Sequence, residues 1–595
     1  MKTRKILLLL LPFLCLSSCS NEKGISFHSN VEDHVFYTLY DDGIFSLDNA
    51  SFHSEIALPS YASAMATIRS DCDYDARAFF LTELWKNEGF SSIYVSDSFK
   101  QKPGLDTIGY AFAHKKIVAS DGPTHLFAIA IRSGAYEGEW ASNVTLGLEG
   151  DAKGMSDSAS IVYEGFLSYL NQEGYEGRAK FWISGYSRGG SVANLLAGHL
   201  LDDVEEGTFP SAIISGKEDV YAYCFEPIAC AYCEEKDVHG ARYQGVKNIL
   251  NFNDLMPHVI PSRWGFSRYG EDLYYPDRLT DIRFEFGLRK NLVSRYRFEE
   301  GGHKYTPYTI DEWKFYDVGE ADAKEGNLPR AAVFPSMGRL ARQLPQQIAS
   351  IIGRYNYAAG LESMIRDLIA AFSGLNEDIK GEIVSPSALL NVISSYPFVR
   401  NLLFELQQGN SSGFVRNLTF LLYEIFESSE SNYEALRKLC DDSFWLFVMI
   451  PVFFHGRRDL ALQFFSRDNL TKLFQAHYTE LNYSFTRSLD KRLYGEEACE
   501  LNDGSYYLLH VANAQQIVLK EDRYGEIFTF FDGVMESKAL AAERLCDGSV
   551  DVFLPKNGNY SYQCQSASVS LNEVDGLGET YLLKENMPLS GRIAE

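Results

Sequence analysis

The chain has 595 residues, 46% of them hydrophobic and 14% aromatic, and a formal net charge of -25. That length exceeds what one hydrophobic core holds and predicts several domains. The acidic balance, with no basic tract, excludes nucleic acid as an expected partner and favours a solvated surface.

At the N-terminus Lys2, Arg4 and Lys5 precede an apolar stretch from Ile6 to Leu16, and Leu16-Ser17-Ser18-Cys19 follows. The stretch is too short for a comfortable membrane span. Residues 1–18 therefore read as a targeting segment outside the fold. The residues around Cys19 resemble the lipobox of bacterial lipoproteins. That resemblance implies diacylglycerol on the Cys19 thiol, a polar tether over residues 19–28, and membrane attachment through this anchor. The expected location is the bacterial cell surface, on the outer face of the cytoplasmic membrane or on the outer membrane, depending on the envelope.

Residues 29–325 carry helical patterns at 62–67, 75–87, 155–172 and 188–203. Strand-like runs lie at 91–95, 108–113, 125–131, 179–184, 220–225 and 246–251. The alternation predicts an α/β fold with a mostly parallel sheet covered on both faces. Over 326–470 the strand signal disappears, and residues such as Leu340, Leu344, Ile348 and Ile351 recur at helical spacing. This reads as an α-helical cap inserted in the core. Its most apolar run, 444–454, contains Pro451 and suits a buried helix or pocket wall better than a membrane span. Residues 471–499 are expected to return to the core. From 500 to 595, short strand-like runs separated by Asp532-Gly533 and Asn557-Gly558 predict a small antiparallel β-domain, an accessory or binding module. Cys230 and Cys233 form one Cys-x-x-Cys near Cys224, but no second pair stands at zinc-ligand spacing.

The chemistry concentrates at Gly185-Tyr186-Ser187-Arg188-Gly189, a Gly-x-Ser-x-Gly pentapeptide between the apolar run 179–183 and the helical run from Ser191. Strand, sharp turn and helix expose a serine hydroxyl as a nucleophile. The Arg188 N–H, at the helix start, would point toward an oxyanion. An ordinary βα turn with an incidental serine is the bland alternative. Such a serine needs a base, and the base needs an orienting acid. Asp254, after the strand at 246–251, is the expected acid; Glu226 and Asp219, beside the preceding strand, are weaker. Among the histidines that follow, position alone leaves His303 and His477 equally placed.

These segments resemble the class 3 lipases, and more closely a set of bacterial secreted lipase-like proteins with this Gly-Tyr-Ser-Arg turn. The resemblance is carried by Trp182 to Arg188, by Arg132 with Trp140 eight positions on, by Phe225-Glu226-Pro227, by Asn251-x-x-Asp254-x-x-Pro257, and by Ala476-His477-Tyr478-x-Glu480-Leu481. It implies an α/β-hydrolase core, Ser187, Asp254 and His477 as catalytic triad, and backbone N–H groups of Gly134 and Arg188 as the oxyanion hole. The family pattern is broken where Ser133 replaces a glycine and Gly134 lacks a hydroxyl. The implied reaction runs through an acyl-enzyme on an acyl ester or lipid substrate. It needs no metal or organic cofactor and no obligate protein partner. The rival expectations are a serine peptidase or acyltransferase on the same fold, or a non-catalytic surface lipoprotein that binds lipid or glycan.

Overall fold

The computed structural model describes residues 23–28, 35–68, 74–101, 104–119, 122–133, 139–288, 298–300, 303–305, 476–477, 479–545 and 547–593, with scattered positions between 342 and 416. An N-terminal hairpin pairs β1 (Lys23–His28) with β2 (Val35–Tyr40). The central sheet contains β3 (Ser91–Val95), β4 (Tyr110–Ala119), β5 (Gly122–Ile131), β6 (Gly177–Tyr186), β7 (Val220–Phe225), β8 (Val246–Leu250) and β9 (Glu271–Tyr274). Their order across the sheet is β9-β8-β7-β6-β5-β4-β3. A further two-residue strand, Ile213–Ile214, runs parallel to the start of β6.

From β5 to β9 every pairing is parallel, whereas β3, β4 and β5 pair antiparallel. The sheet is therefore mixed. Only residues 120 and 121 separate β4 from β5, too few for the crossover that parallel strands require. The inner parallel strands β5 to β8 are largely buried on both faces, as strands inside an α/β sheet must be, while the edge strand β9 is partly exposed. Along β5, Leu126, Ala128 and Ala130 join one core, while Phe127, Ile129 and Ile131 join the other. Tyr221, Tyr223 and Phe225 of β7 divide from Val220, Ala222 and Cys224 in the same way.

Helices α1 (Ser54–Ala66) and α2 (Tyr74–Asn87) cover the first face. Helices α3 (Lys153–Glu173) and α4 (Arg188–Glu206) cover the second. Sequence periodicity found only the end of α1. Nearly every residue of that helix is buried, and Pro59 sits inside it. A helix apolar all round offers no amphipathic stripe to read. Helix α5 (Thr479–Leu489) returns to the first face, where Leu481, Tyr483, Phe485 and Leu489 enter the same core as α1. The Tyr61 hydroxyl of α1 donates to the Thr479 carbonyl at 2.5 Å.

The C-terminal region forms two five-stranded antiparallel sheets around one apolar cluster. Leu509, Val511, Ile517, Leu519, Val552 and Leu554 belong to that cluster. It docks on the central sheet through Leu250, Phe252 and Tyr274, which pack with Tyr506, Leu508 and Phe553. Most of the helical stretch expected over 326–470, including the run 444–454, lies outside the described residues, as does Cys19. Its described positions touch the core near the site: Arg354 donates to the Leu146, Gly147 and Gly150 carbonyls, and Arg366 pairs with Asp106. Among the described residues, no helix is long and apolar enough to cross a membrane.

Candidate active site

Ser187 stands in the turn between β6 and α4 with φ 54° and ψ −124°. A non-glycine residue there is strained and persists only where its surroundings over-determine it. Here they do. The Ser187 N–H donates to the Phe225 carbonyl at 2.8 Å. A Cβ on Gly185 would come within 2.2 Å of the Gly189 carbonyl oxygen, and one on Gly189 within 2.4 Å of the Ile131 oxygen. The glycines of the pentapeptide thus let strand and helix meet at backbone contact.

His477, just before α5, lies between Ser187 and Asp254. Its Nε2 is 2.7 Å from Ser187 Oγ and its Nδ1 2.5 Å from Asp254 Oδ2. The other Asp254 oxygen accepts the Met256 N–H at 2.8 Å. Asp254 is fully buried, while the His477 side chain is 18% exposed. An Nδ1–H directed at Asp254 leaves the Nε2 lone pair for the serine hydroxyl proton. The arrangement can therefore move a proton from Ser187 Oγ to His477 and stabilise the resulting imidazolium.

A buried polar net holds these segments together. The Tyr186 hydroxyl donates to the His477 carbonyl at 2.7 Å and accepts from Asn482 Nδ2 at 2.8 Å. Asn251 Nδ2 donates to the Ala476 carbonyl at 3.1 Å and to Asn482 Oδ1 at 2.9 Å. Asn482 and the Tyr186 hydroxyl escaped the sequence reading, because neither residue type marks chemistry by its spacing. Burial, followed by the neighbouring carboxyl groups of Glu226 and Asp254, raises the Tyr186 phenol well above its usual range. Burial and then Asp254 do the same to the Glu226 carboxyl.

Arg188 contributes its N–H to the first turn of α4, where helix N–H groups lack intrahelical acceptors. Its buried guanidinium reaches Asn143 Oδ1, Met155 Sδ, the Thr107 carbonyl and Ser158 Oγ at 2.9–3.2 Å. Arg132, at the end of β5, forms a fully buried ion pair with Glu139. Gly134, between them, lies outside the described residues.

Among the described residues, His303, His258, His510 and Asp219 make no hydrogen bond to Ser187. His303 falls on a short strand, His303–Tyr305, paired with Phe298–Glu300. His258 is buried, and burial together with Arg268 and Arg342 pushes its pKa well below the usual histidine value. His510 pairs with Asp551 in the C-terminal β-region at 2.7 Å. His455 is outside the described residues. Asp219 pairs with Lys180 at 3.0 Å. Cys224 and Cys230 are free and buried, and burial pushes the Cys230 thiol up to about 12.

No protein-family model and no curated protein matches this chain. Among solved structures it is similar to a triacylglycerol lipase described as having a serine protease triad as its catalytic centre, at 19% identity and a TM-score of 0.26. The match covers 38% of this chain and 83% of that one. The triacylglyceride lipase of Rhizomucor miehei is similar at 18% identity and a TM-score of 0.25, over 38% of this chain and 80% of that one. A lipase from Rhizopus microsporus var. chinensis is similar at 14% identity and a TM-score of 0.25, over 38% and 75%. TM-scores of this size carry neither fold nor function. The mixed central sheet with helices on both faces, and the serine turn between β6 and α4, fit the α/β-hydrolase pattern.

Proposed function

We propose that the chain is a serine ester hydrolase acting on acyl esters or lipids outside the cytoplasm, held at the cell surface by a lipid on Cys19. What carries this reading is one observation: His477 makes hydrogen bonds to both Ser187 Oγ and Asp254 Oδ2, at 2.7 and 2.5 Å. In this mechanism Nε2 takes the Ser187 proton as Oγ attacks the ester carbonyl. Asp254 orients the ring and stabilises its charged form. The Arg188 N–H, at the start of α4, holds the developing oxyanion. The Gly134 N–H is the second donor, a role that rests on the sequence resemblance. The imidazolium returns its proton to the leaving alcohol, and water then hydrolyses the acyl-enzyme with the same base. The stretch 326–470, helical by its sequence pattern, serves as a cap in this reading, and the C-terminal β-region as an accessory module.

The test is Ser187→Ala against the wild type, with p-nitrophenyl esters and a fluorophosphonate probe. Turnover is expected to fall by about 10⁶-fold, and labelling to vanish. Equal ester hydrolysis by the folded variant would refute the assignment. A folded wild type that neither hydrolyses esters nor takes the label would point instead to a binding protein.

A further inference from the structure

Glu226 follows β7 directly, with φ 49° and a wholly buried side chain. Its backbone is fixed at the heart of the site. The carbonyl before it accepts the Ser187 N–H at 2.8 Å, and its own N–H donates to the Ile249 carbonyl at 2.9 Å. Its two carboxyl oxygens share a single donor, the Asn251 N–H, at 2.8 and 3.0 Å. The carbonyl of that same Asn251 accepts the Asp254 N–H at 3.1 Å. Glu226 and Asp254 therefore flank one residue, and burial together with the neighbouring Asp254 carboxyl raises the Glu226 carboxyl well above its usual range.

Two buried carboxyl groups in contact do not both ionise; one keeps its proton. Asp254 has the His477 ring and the Met256 N–H to support its charge. Glu226 has one shared N–H and, among the described residues, no ion pair. The nearby cation, Arg268, is engaged by Asp272 at 2.6 Å and by the Pro227 and Pro257 carbonyls. Among the described residues, the other titratable groups acting on the Glu226 carboxyl are the Tyr186 and Tyr275 phenols, from β6 and just after β9. The Tyr275 hydroxyl is held by Thr486 Oγ1 of α5 at 2.5 Å.

We propose that Glu226 is a positioning residue of this site: as a neutral acid it donates a hydrogen bond to the Asp254 carboxylate, fixing that carboxylate and limiting its pull on His477. The inference rests on the reading of Ser187, His477 and Asp254 as the reacting groups. One net negative charge then faces the one positive charge that forms on the imidazole. Without the Glu226 donor, Asp254 would hold the imidazolium more tightly, and resting His477 would stay protonated, and idle as a base, to higher pH. Glutamine can accept from Asn251 and donate to Asp254, so Glu226→Gln preserves the device and Glu226→Ala removes it.

The experiment compares kcat/KM against pH for the wild type, Glu226→Gln and Glu226→Ala, with His477 titrated directly by NMR in histidine-labelled protein. Expected are a Gln variant within about threefold of wild type with an unmoved acid limb, and an Ala variant whose limb and His477 titration both rise by about one pH unit, tenfold in basicity. An Ala variant that titrates like wild type overturns the proposal, as does a Gln variant impaired or shifted like Ala. Should Ala fail to fold, the Gln profile decides: unmoved supports the proposal, moved overturns it. The NMR titration does not depend on turnover. Activity retained in Ser187→Ala would therefore sink the hydrolase reading separately, while His477 still reports on Glu226.

Discussion

Replacing Tyr186 by phenylalanine removes a single oxygen from the site. The ring keeps its packing against Tyr61 and His477, at centroid distances of 5.9 and 5.3 Å. What goes is the hydroxyl that donates to the His477 carbonyl at 2.7 Å and accepts from Asn482 Nδ2 at 2.8 Å. The residue is 2% exposed, so water does not replace the lost partner. A part-buried carbonyl and a buried N–H lose this partner, each costing up to about 1–3 kcal/mol. Asn482 Nδ2 keeps a longer bond to the Ala476 carbonyl, 3.3 Å, so a total near 2–4 kcal/mol is expected. The same oxygen anchors the His477 backbone, and a slip of about 1 Å at a reacting group costs about 10²-fold. Urea unfolding should therefore show a lowered midpoint at unchanged slope, and kcat on a p-nitrophenyl ester should fall about 10- to 100-fold with KM nearly constant. Asn482→Ala, alone and combined with Tyr186→Phe, should show coupling of about 1 kcal/mol, since both remove one shared bond. A folded Tyr186→Phe with wild-type stability and kcat would refute the role given to this net.

Three further outcomes are expected. Asp254→Asn should leave the fold intact and lower kcat by about 10⁴-fold, because the amide favours the wrong histidine tautomer; a loss under tenfold would remove Asp254 from the mechanism. Gly189→Ala puts a Cβ 2.4 Å from the Ile131 oxygen, and the contacting atom is backbone that cannot swing away. It should destabilise by about 1–3 kcal/mol or more and abolish fluorophosphonate labelling; a labelled, equally stable variant would contradict the close approach. Glu88 is buried with both carboxyl oxygens unpaired, and burial raises its pKa well above the usual range against the opposing charge of Lys115. Its contribution to stability is thus fully present below the unfolded value, about pH 4, and is lost as pH rises through the folded one. Glu88→Gln should match the wild type near pH 4 and gain on it toward pH 8 in urea midpoints; parallel pH profiles would show that Glu88 is not the group responsible.

The turn around Ser187 was legible in the sequence because its causes are local. An apolar run, glycines where only a hydrogen fits, and a helix of small residues define strand, turn and helix within about twenty positions. Asp254 could be singled out for the same reason, standing just past a recognisable strand. Which histidine reaches Ser187 was not legible from position, and only the motif resemblance singled out His477, because His477 and Ser187 are 290 positions apart and meet only when α5 packs against α1. His303 was equally placed on position alone. The mixed character of the sheet was half legible: β4 and β5 read correctly as strands, but their direction depends on a two-residue connection. Glu226 shows the division best. By sequence it was a second-rank acid beside a strand. In the fold its carboxyl accepts the Asn251 N–H, while the Asn251 carbonyl accepts the Asp254 N–H. Burial and proximity set its protonation, and both belong to the assembled chain and not to any segment of it.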